Sequence, residues 1–184
     1  MSDESDDYHS YSALFVDRDG VINRRIPDGY VTSYADFEFL PGVIEAMKIL
    51  SRKFPRIFIV TNQQGIGKGL MSESDLEEIH SEMLEEFEEA GVKIDKVYFC
   101  PSLADAGSPR RKPEPGMALE AAKEFPDVDL SRSVMVGDTT SDMIFGKNAG
   151  MKTVLTVPDN YSDENDKYVD EVHNGLYGFA LELE

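Results

Sequence analysis

Apolar and polar positions along this chain alternate between two patterns. Short apolar stretches at Ala13–Val16, Arg56–Val60, Val97–Cys100, Val134–Val136 and Thr153–Val157 read as strands. Between them the apolar positions fall at helical spacing. Val43, Ile44, Met47 and Leu50 recur behind Pro41, a residue well placed near a helix start. Ser72 with Asp75 has the form of a capping box, and the stripe Leu76, Ile79, Met83, Leu84, Phe87 runs from it to a stop at Gly91. A third helix starts near Pro115 and runs through Met117, Leu119, Ala122 and Phe125; a fourth follows Asp142 and ends before Gly150. Beyond Val157 come Pro158, a polar acidic loop, a short strand near Val169–Val172 and a terminal helix from about Gly175 to Leu183. Strands alternating with helices predict an α/β fold with a doubly wound, mainly parallel sheet. No repeat and no Gly/Ser linker divides the chain, so residues 1–12 read as an acidic tail and residues 13–184 as a single domain.

Composition narrows the function. A hydrophobic content of 41% in 184 residues suits one globular domain with a sizeable core. No apolar run approaches the about 20 residues of a membrane span, and Met1–Asp7, with four acidic residues, has the wrong polarity for a secretory signal. A cytoplasmic address and no membrane partner are therefore expected. Cys100 is the only cysteine, which rules out an intramolecular disulfide and reads as a half-buried thiol at a strand end. The net charge of −18 argues against nucleic acid, whose phosphates require clustered Lys and Arg. It also repels any phosphorylated small substrate, so a phosphate site here needs local cations or a metal. Acidic clusters lie at Asp3–Asp7, Glu85–Glu89 and Asp159–Asp170, whereas Arg24, Arg25, Lys68, Arg110, Arg111 and Lys112 flank the segments that carry chemistry.

Those segments follow strands. In Asp17-Arg18-Asp19-Gly20 the two carboxylates are two residues apart, so in extended backbone they leave the same face and can converge on one reacting group. Asp17 is the candidate nucleophile, of the kind that forms an aspartyl phosphate, and Asp19 the candidate acid/base. Alone, Asp-x-Asp-Gly would be an ordinary acidic turn. Phosphoryl transfer also needs groups that neutralise and position charge. Thr61 and Asn62, after the second strand, offer such donors, and Lys112, between Arg111 and Pro113, offers a point charge. Asp138 follows the fourth strand through Gly137, and magnesium is typically held by one or two carboxylates with substrate oxygens and waters. Asp142, a helical turn further on, suits a helix N-terminus and is a candidate for steadying the metal shell.

Taken together, Asp17-Arg18-Asp19-Gly20-Val21, Val60-Thr61-Asn62-Gln63, Arg111-Lys112-Pro113 and Val136-Gly137-Asp138 resemble the haloacid-dehalogenase superfamily of phosphatases. The wording and order from Leu14 to Val157 are similar to the branch that holds the heptose-bisphosphate and histidinol-phosphate phosphatases. Gly29-Tyr30-Val31, Phe37-Glu38-Phe39-Leu40-Pro41-Gly42-Val43, Gly65-Ile66-Gly67-Lys68-Gly69 and Pro115-Gly116-Met117 resemble the heptose-bisphosphate side. The resemblance implies strand order 5-4-1-2-3. It makes Asp17 nucleophile and metal ligand, Asp19 acid/base with its backbone carbonyl on magnesium, and Asp138 the second side-chain ligand. Thr61 and Lys112 hold phosphate, with Asn62 and Arg111 beside them. The implied activity is magnesium-dependent hydrolysis of a phosphomonoester, on a sugar bisphosphate such as D-glycero-D-manno-heptose 1,7-bisphosphate or alternatively on histidinol phosphate or another small molecule.

The chain departs from that pattern at Cys100–Ser108, which keeps one cysteine where many relatives carry a Cys- and His-rich zinc loop, so no structural zinc is expected. The segments after Gly20 and Thr61 leave no room for a large cap, which implies an open mouth. Arg24, Arg25 and Lys68 are candidates for a second anionic group on the substrate. A receiver-type signalling module and a catalytically silent binder share parts of this pattern. The position of the Asp pair after the first strand argues against the former, and retention of Asp17, Asp19, Thr61, Lys112 and Asp138 against the latter.

Overall fold

A computed structural model of the chain describes residues 11–157 and 166–184. Residues 1–10 of the expected acidic tail and most of the acidic loop after Val157 lie outside the described residues. Tyr11 and Ser12 lie within them: the Ser12 hydroxyl bonds Asp129 O at 2.8 Å, and its N–H donates to Arg132 O. Six strands form one sheet: β1 (Ala13–Val16), β2 (Ile57–Asn62), β3 (Lys96–Cys100), β4 (Ser133–Gly137), β5 (Lys152–Thr156) and β6 (Glu171–His173). All neighbours are parallel. The order β3-β2-β1-β4-β5-β6 is the implied 5-4-1-2-3 read from the other edge, with β6 added beyond β5. The helices are α1 (Val43–Lys53), α2 (Gln64–Gly67), α3 (Glu73–Glu89), α4 (Gly116–Glu124), α5 (Thr140–Asn148) and α6 (Gly175–Glu182).

Both faces of the sheet are covered, which is why its strands read as continuous apolar runs. On β1, Leu14 and Val16 enter the layer formed with Val43, Met47 and Leu50 of α1 and Leu176 and Phe179 of α6. Ala13 and Phe15 enter the opposite layer with Met117 and Ala121 of α4 and Phe145 of α5. α3 begins as the sequence predicts, with Ser72 as N-cap and a reciprocal Asp75 capping box.

Several boundaries differ from the sequence reading. Thr61 and Asn62 are the last residues of β2 rather than the turn after it, because β3 is long enough to pair with them, Thr61 opposite Phe99 and Asn62 opposite Cys100. The strand expected near Val169–Val172 is Glu171–His173, where it pairs with Val154–Thr156. Leu119 is 54% exposed: Met117, Ala118 and Ala121 face the sheet, so the stripe of α4 is rotated from the one the spacing suggested. Cys100 is fully buried in the core rather than half-buried. Among the described residues, no helix is long and apolar enough to cross a membrane.

Candidate active site

The parallel register fixes where the chemistry collects. Val16 pairs with Ile59 on one side and Val136 on the other, so Asp17, Thr61 and Asp138 leave the carboxyl ends of three adjacent strands close together. Asp17 stays tied to the sheet through its N–H, which donates to Val136 O at 3.0 Å. The chain then turns sharply at Gly20, whose φ of +93° places it in the left-handed region. A Cβ there would lie 2.0 Å from Asp138 Oδ2, so only glycine lets the first loop pass this carboxylate.

Lys112 enters from the loop before α4 and is buried. Its ammonium spends all three donors inside the protein, on Asp17 Oδ1 (2.7 Å), Asp142 Oδ1 (2.7 Å) and Val60 O (2.9 Å). Its positive charge is thus fixed against the candidate nucleophile. Burial opposes that charge, yet Asp142 and Asp17 outweigh it and raise the lysine pKa above its ordinary value. Asp142 is likewise saturated. Its Oδ2 accepts from the N–H groups of Asp138 and Thr139 (3.2 Å each) and from the Thr139 hydroxyl (2.8 Å), a capping box that opens α5. Asp142 therefore reaches the site through Lys112 and the Asp138 backbone. Gly137 makes this possible, since a Cβ there would sit 2.2 Å from the Asp142 Cβ.

The two aspartates of the first segment lie in opposite electrostatic settings. Burial, with Asp142 and Asp138 nearby, pushes the Asp17 carboxyl well above its usual range despite Lys112. Asp19 is half-buried, and although its partial desolvation works the same way, Arg18 and hydrogen bonds from Asn23, Arg18 and Gln63 overcome that cost and hold it below its usual range. Asn23 Nδ2 meets Oδ1 at 2.9 Å, and Gln63 Nε2 meets Oδ2 at 2.8 Å. Gln63 also donates to Thr61 Oγ1 at 2.8 Å, which leaves the Thr61 hydroxyl proton for another acceptor.

Asn62 does not offer its amide to the cleft. It clamps the Lys112 backbone reciprocally, Nδ2 to Lys112 O at 3.1 Å and Lys112 N to Oδ1 at 3.0 Å. Arg111 lines the cleft and is anchored on Ser102 O at 3.0 Å. Arg110 is turned toward α4, where its guanidinium meets the Glu120 carboxylate at 2.7 Å. The candidates for a second anion separate as well. Arg24 pairs with Glu38 on the surface, Lys68 stands 5.3 Å from the Tyr30 ring centroid, and only Arg25 enters the site. Arg18, Asn23, Gln63 and Arg25 received no role from sequence reasoning beyond a general candidacy for Arg25. The one sequence signal that could have pointed to Arg18 is its place as a cation between two carboxylates.

Asp17, Asp138 and Asp142 each bring a carboxylate oxygen within 4.8 Å of the others. With Asp142 saturated, the donors left for a hard cation are Asp17, Asp138 and the Asp19 carbonyl. These oxygens already attract a positive charge. Arg25 Nη2 donates to Asp19 O at 2.7 Å and to both Asp138 oxygens at 3.1 Å, and Asp17 adds to the field that holds it charged. The oxygen-only donor set and its convergence on a cation fit magnesium. Beside it opens a cleft of about 280 Å³ bounded by Asp19, Arg25, Tyr30, Gln64, Arg111 and Thr139. A larger groove of about 410 Å³ runs between Leu40–Val43 and α6, but no charged side chain lines it.

A β1 that delivers Asp17 at its carboxyl end, flanked by β2 and β4, with Lys112 and a second carboxylate beside it, defines a phosphoryl-transfer hydrolase of the haloacid-dehalogenase type. A model of haloacid-dehalogenase-like hydrolases matches residues 109–176. The chain is 45% identical over 145 residues, 79% of its length and 81% of the relative's, to a D-glycero-alpha-D-manno-heptose-1,7-bisphosphate 7-phosphatase of Campylobacter jejuni. It is 41% identical over 150 residues, 80% and 84% of the two lengths, to a D-glycero-beta-D-manno-heptose-1,7-bisphosphate 7-phosphatase of Helicobacter pylori. Its fold superposes with a TM-score of 0.80 on a D,D-heptose 1,7-bisphosphate phosphatase from B. bronchiseptica complexed with magnesium and phosphate, at 28% identity and covering 94% of this chain and 97% of that one. The chain belongs to the heptose-1,7-bisphosphate 7-phosphatase family of haloacid-dehalogenase-like hydrolases.

Proposed function

We propose that this protein is a magnesium-dependent phosphomonoesterase that removes the 7-phosphate of a D-glycero-D-manno-heptose 1,7-bisphosphate. The observation that carries the reading is the Lys112 ammonium bridging Asp17 and Asp142 where Asp19 and Asp138 also converge. In this reading Asp19, ionised in the free protein, takes up a proton when the anionic substrate beside it raises its proton affinity. A carboxylate oxygen of Asp17 then attacks phosphorus, the P–O bond to the sugar breaks, and the departing oxygen takes that proton from Asp19. A water that has given its proton to Asp19 then attacks phosphorus of the aspartyl phosphate, which frees Asp17 and inorganic phosphate. Asp17, Asp138 and the Asp19 carbonyl would hold magnesium, whose charge keeps Asp17 ionised and offsets that of the phosphoryl oxygens. Thr61 donates its free hydroxyl proton to a phosphoryl oxygen. Lys112 fixes the nucleophile and lowers its repulsion with the phosphate, and Asn62 holds the Lys112 backbone in place.

Arg111 and Arg25 stand on the walls of the cleft, where the second phosphate or the sugar hydroxyls would reach them. The relatives of near-equal identity include both anomeric specificities, so the reading is for the 1,7-bisphosphate as a class. A cytoplasmic site of action belongs to the same proposal, because such phosphorylated sugars are intracellular intermediates. The test is phosphorus NMR of a reaction with the heptose 1,7-bisphosphate: loss of the 7-phosphate resonance with magnesium, and not with excess chelator, supports the reading. Hydrolysis of histidinol phosphate with the bisphosphate left intact would assign another substrate.

A further inference from the structure

Arg18 lies between the two aspartates of the first segment and is fully buried. It reaches Asp19 with one arm and helix α3 with the other. Nη2 lies across the Asp19 carboxylate, 2.9 Å from Oδ1 and 3.2 Å from Oδ2, while Nη1 bonds Nε2 of His80 at 3.0 Å. Nε finds no partner. A guanidinium facing a carboxylate ordinarily makes two parallel N–H···O bonds. Here Nη2 alone spans the two oxygens: His80 holds Nη1, and with it the orientation of the guanidinium plane, so that Nε is left facing neither oxygen.

The consequence falls on the two Asp19 oxygens unequally. Oδ1 accepts two short bonds, from Arg18 and from Asn23 at 2.9 Å, whereas Oδ2 has one short bond, from Gln63 at 2.8 Å, and only the long Arg18 contact. We propose that His80 is a positioning residue for the proton-transfer step. By taking Nη1 it keeps Arg18 on a single nitrogen across Asp19, and so leaves Oδ2 able to pass a proton to the departing sugar oxygen. This rests on the phosphatase reading above.

His80 is suited to the task. Arginine only donates, so Nε2 must be an acceptor and the imidazole neutral. Burial, helped by the Arg18 charge, secures that state by pushing the histidine pKa down to about 3. The ring is placed by α3, where Leu76, Ile79 and Met83 are fully buried, and by Phe99 of β3, its ring centroid 6.3 Å away.

The test compares kcat/KM for two substrates in the magnesium-loaded full chain. The heptose bisphosphate has an alcohol leaving group that needs a proton, whereas 4-nitrophenyl phosphate has one that does not. Since kcat/KM reports steps up to the first phosphoryl transfer, His80→Leu is expected to lower it about tenfold for the sugar, within the about 10²–10⁴-fold that a general acid supplies, and less than twofold for the aryl ester. His80→Gln, whose side-chain oxygen can accept from Nη1, restores most of the sugar activity. Equal losses on both substrates, or a Gln variant as impaired as the Leu variant, would overturn the proposal. Should the Leu variant not fold, His80→Asn, too short to reach Arg18, takes its place with the same ratio read. A wild-type protein that releases phosphate from neither substrate overturns the phosphatase reading itself, whereas an active wild type with an unchanged substrate ratio in the variants overturns only the role of His80.

Discussion

At the scale of single residues, the site stores negative charge and meets it with fixed cations. Lys112 and Asp142 form a buried pair whose ammonium has no spare donor. Removing Asp142 leaves the buried ammonium with Asp17 as its single counter-charge and takes the carboxylate out of the α5 capping box, and breaking a buried pair in this way costs about 3–5 kcal/mol. Asp142→Ala is accordingly expected to lower unfolding stability by about that amount in denaturant titrations and to abolish turnover as Lys112 loses its anchor; stability within about 1 kcal/mol of wild type would remove Asp142 from the pair. Arg25 has a different part. Its guanidinium, half-exposed, engages Asp19 O and Asp138, the oxygens that magnesium would use. Arg25→Gln removes a competing cation, so calorimetric titration should show tighter magnesium binding than in the wild type, by a few-fold. Weaker binding in the variant would mean that Arg25 supports the ion rather than competing with it.

At the scale of elements, what the sequence disclosed follows from the physics it encodes directly. Strands buried on both faces announce themselves as apolar runs, and the Ser72/Asp75 box marked the start of α3 to the residue. The segments bearing Asp17, Thr61, Lys112 and Asp138 were legible because each joins a distinctive chemistry to a strand end or a short loop. The support around them was not. Arg18, Asn23 and Gln63 act on Asp19 through contacts between residues up to 44 positions apart, and His80 joins Arg18 across 62; neither separation has a local signature. His80 lies beside the stripe residues Ile79 and Met83 in the sequence, and only the folded chain shows that it is buried against the Arg18 guanidinium. Asn62 looked like a phosphate donor because the closure of β3 against the end of β2, which directs it to the Lys112 backbone, cannot be read from residue types.

The burial of His80 also has a measurable thermodynamic consequence. The unfolded chain takes up a proton near pH 6.5, while the native imidazole, facing Arg18 and the nearby Asp19 with Phe99 against its edge, refuses it down to about pH 3. Between those values the unfolded state binds more protons, so stability rises with pH and is lost on acidification, by at most about 1.4 kcal/mol per pH unit from this one group. Between pH 6.5 and 4.5 His80→Gln should flatten this slope relative to wild type, since the carboxylates raised by burial, Asp17 and Asp138, are present in both proteins. An unchanged slope of stability against pH in that interval would place the histidine in water.

At the scale of the whole molecule, the chain resolves a conflict set by its own composition. A net charge of −18 opposes an anionic substrate at long range. Yet Arg25, Arg111 and Lys112 concentrate around one cleft at the carboxyl ends of β1, β2 and β4, the crevice where parallel sheets place their ligands. The sheet brings the carboxylates together, the loop before α4 supplies the ammonium, and α3 supplies the neutral acceptor that steadies Arg18. The central claim is that this convergence makes Asp17 a nucleophile toward phosphorus. Its most direct test is the rate of phosphate release from the heptose 1,7-bisphosphate by Asp17→Asn beside wild type, at saturating magnesium, with circular dichroism to verify the fold. The wild type should turn over and the folded Asn variant should fall to the uncatalysed background, because an amide is a poor nucleophile and a weaker metal ligand. A folded Asp17→Asn protein that releases phosphate at near the wild-type rate would contradict the mechanism.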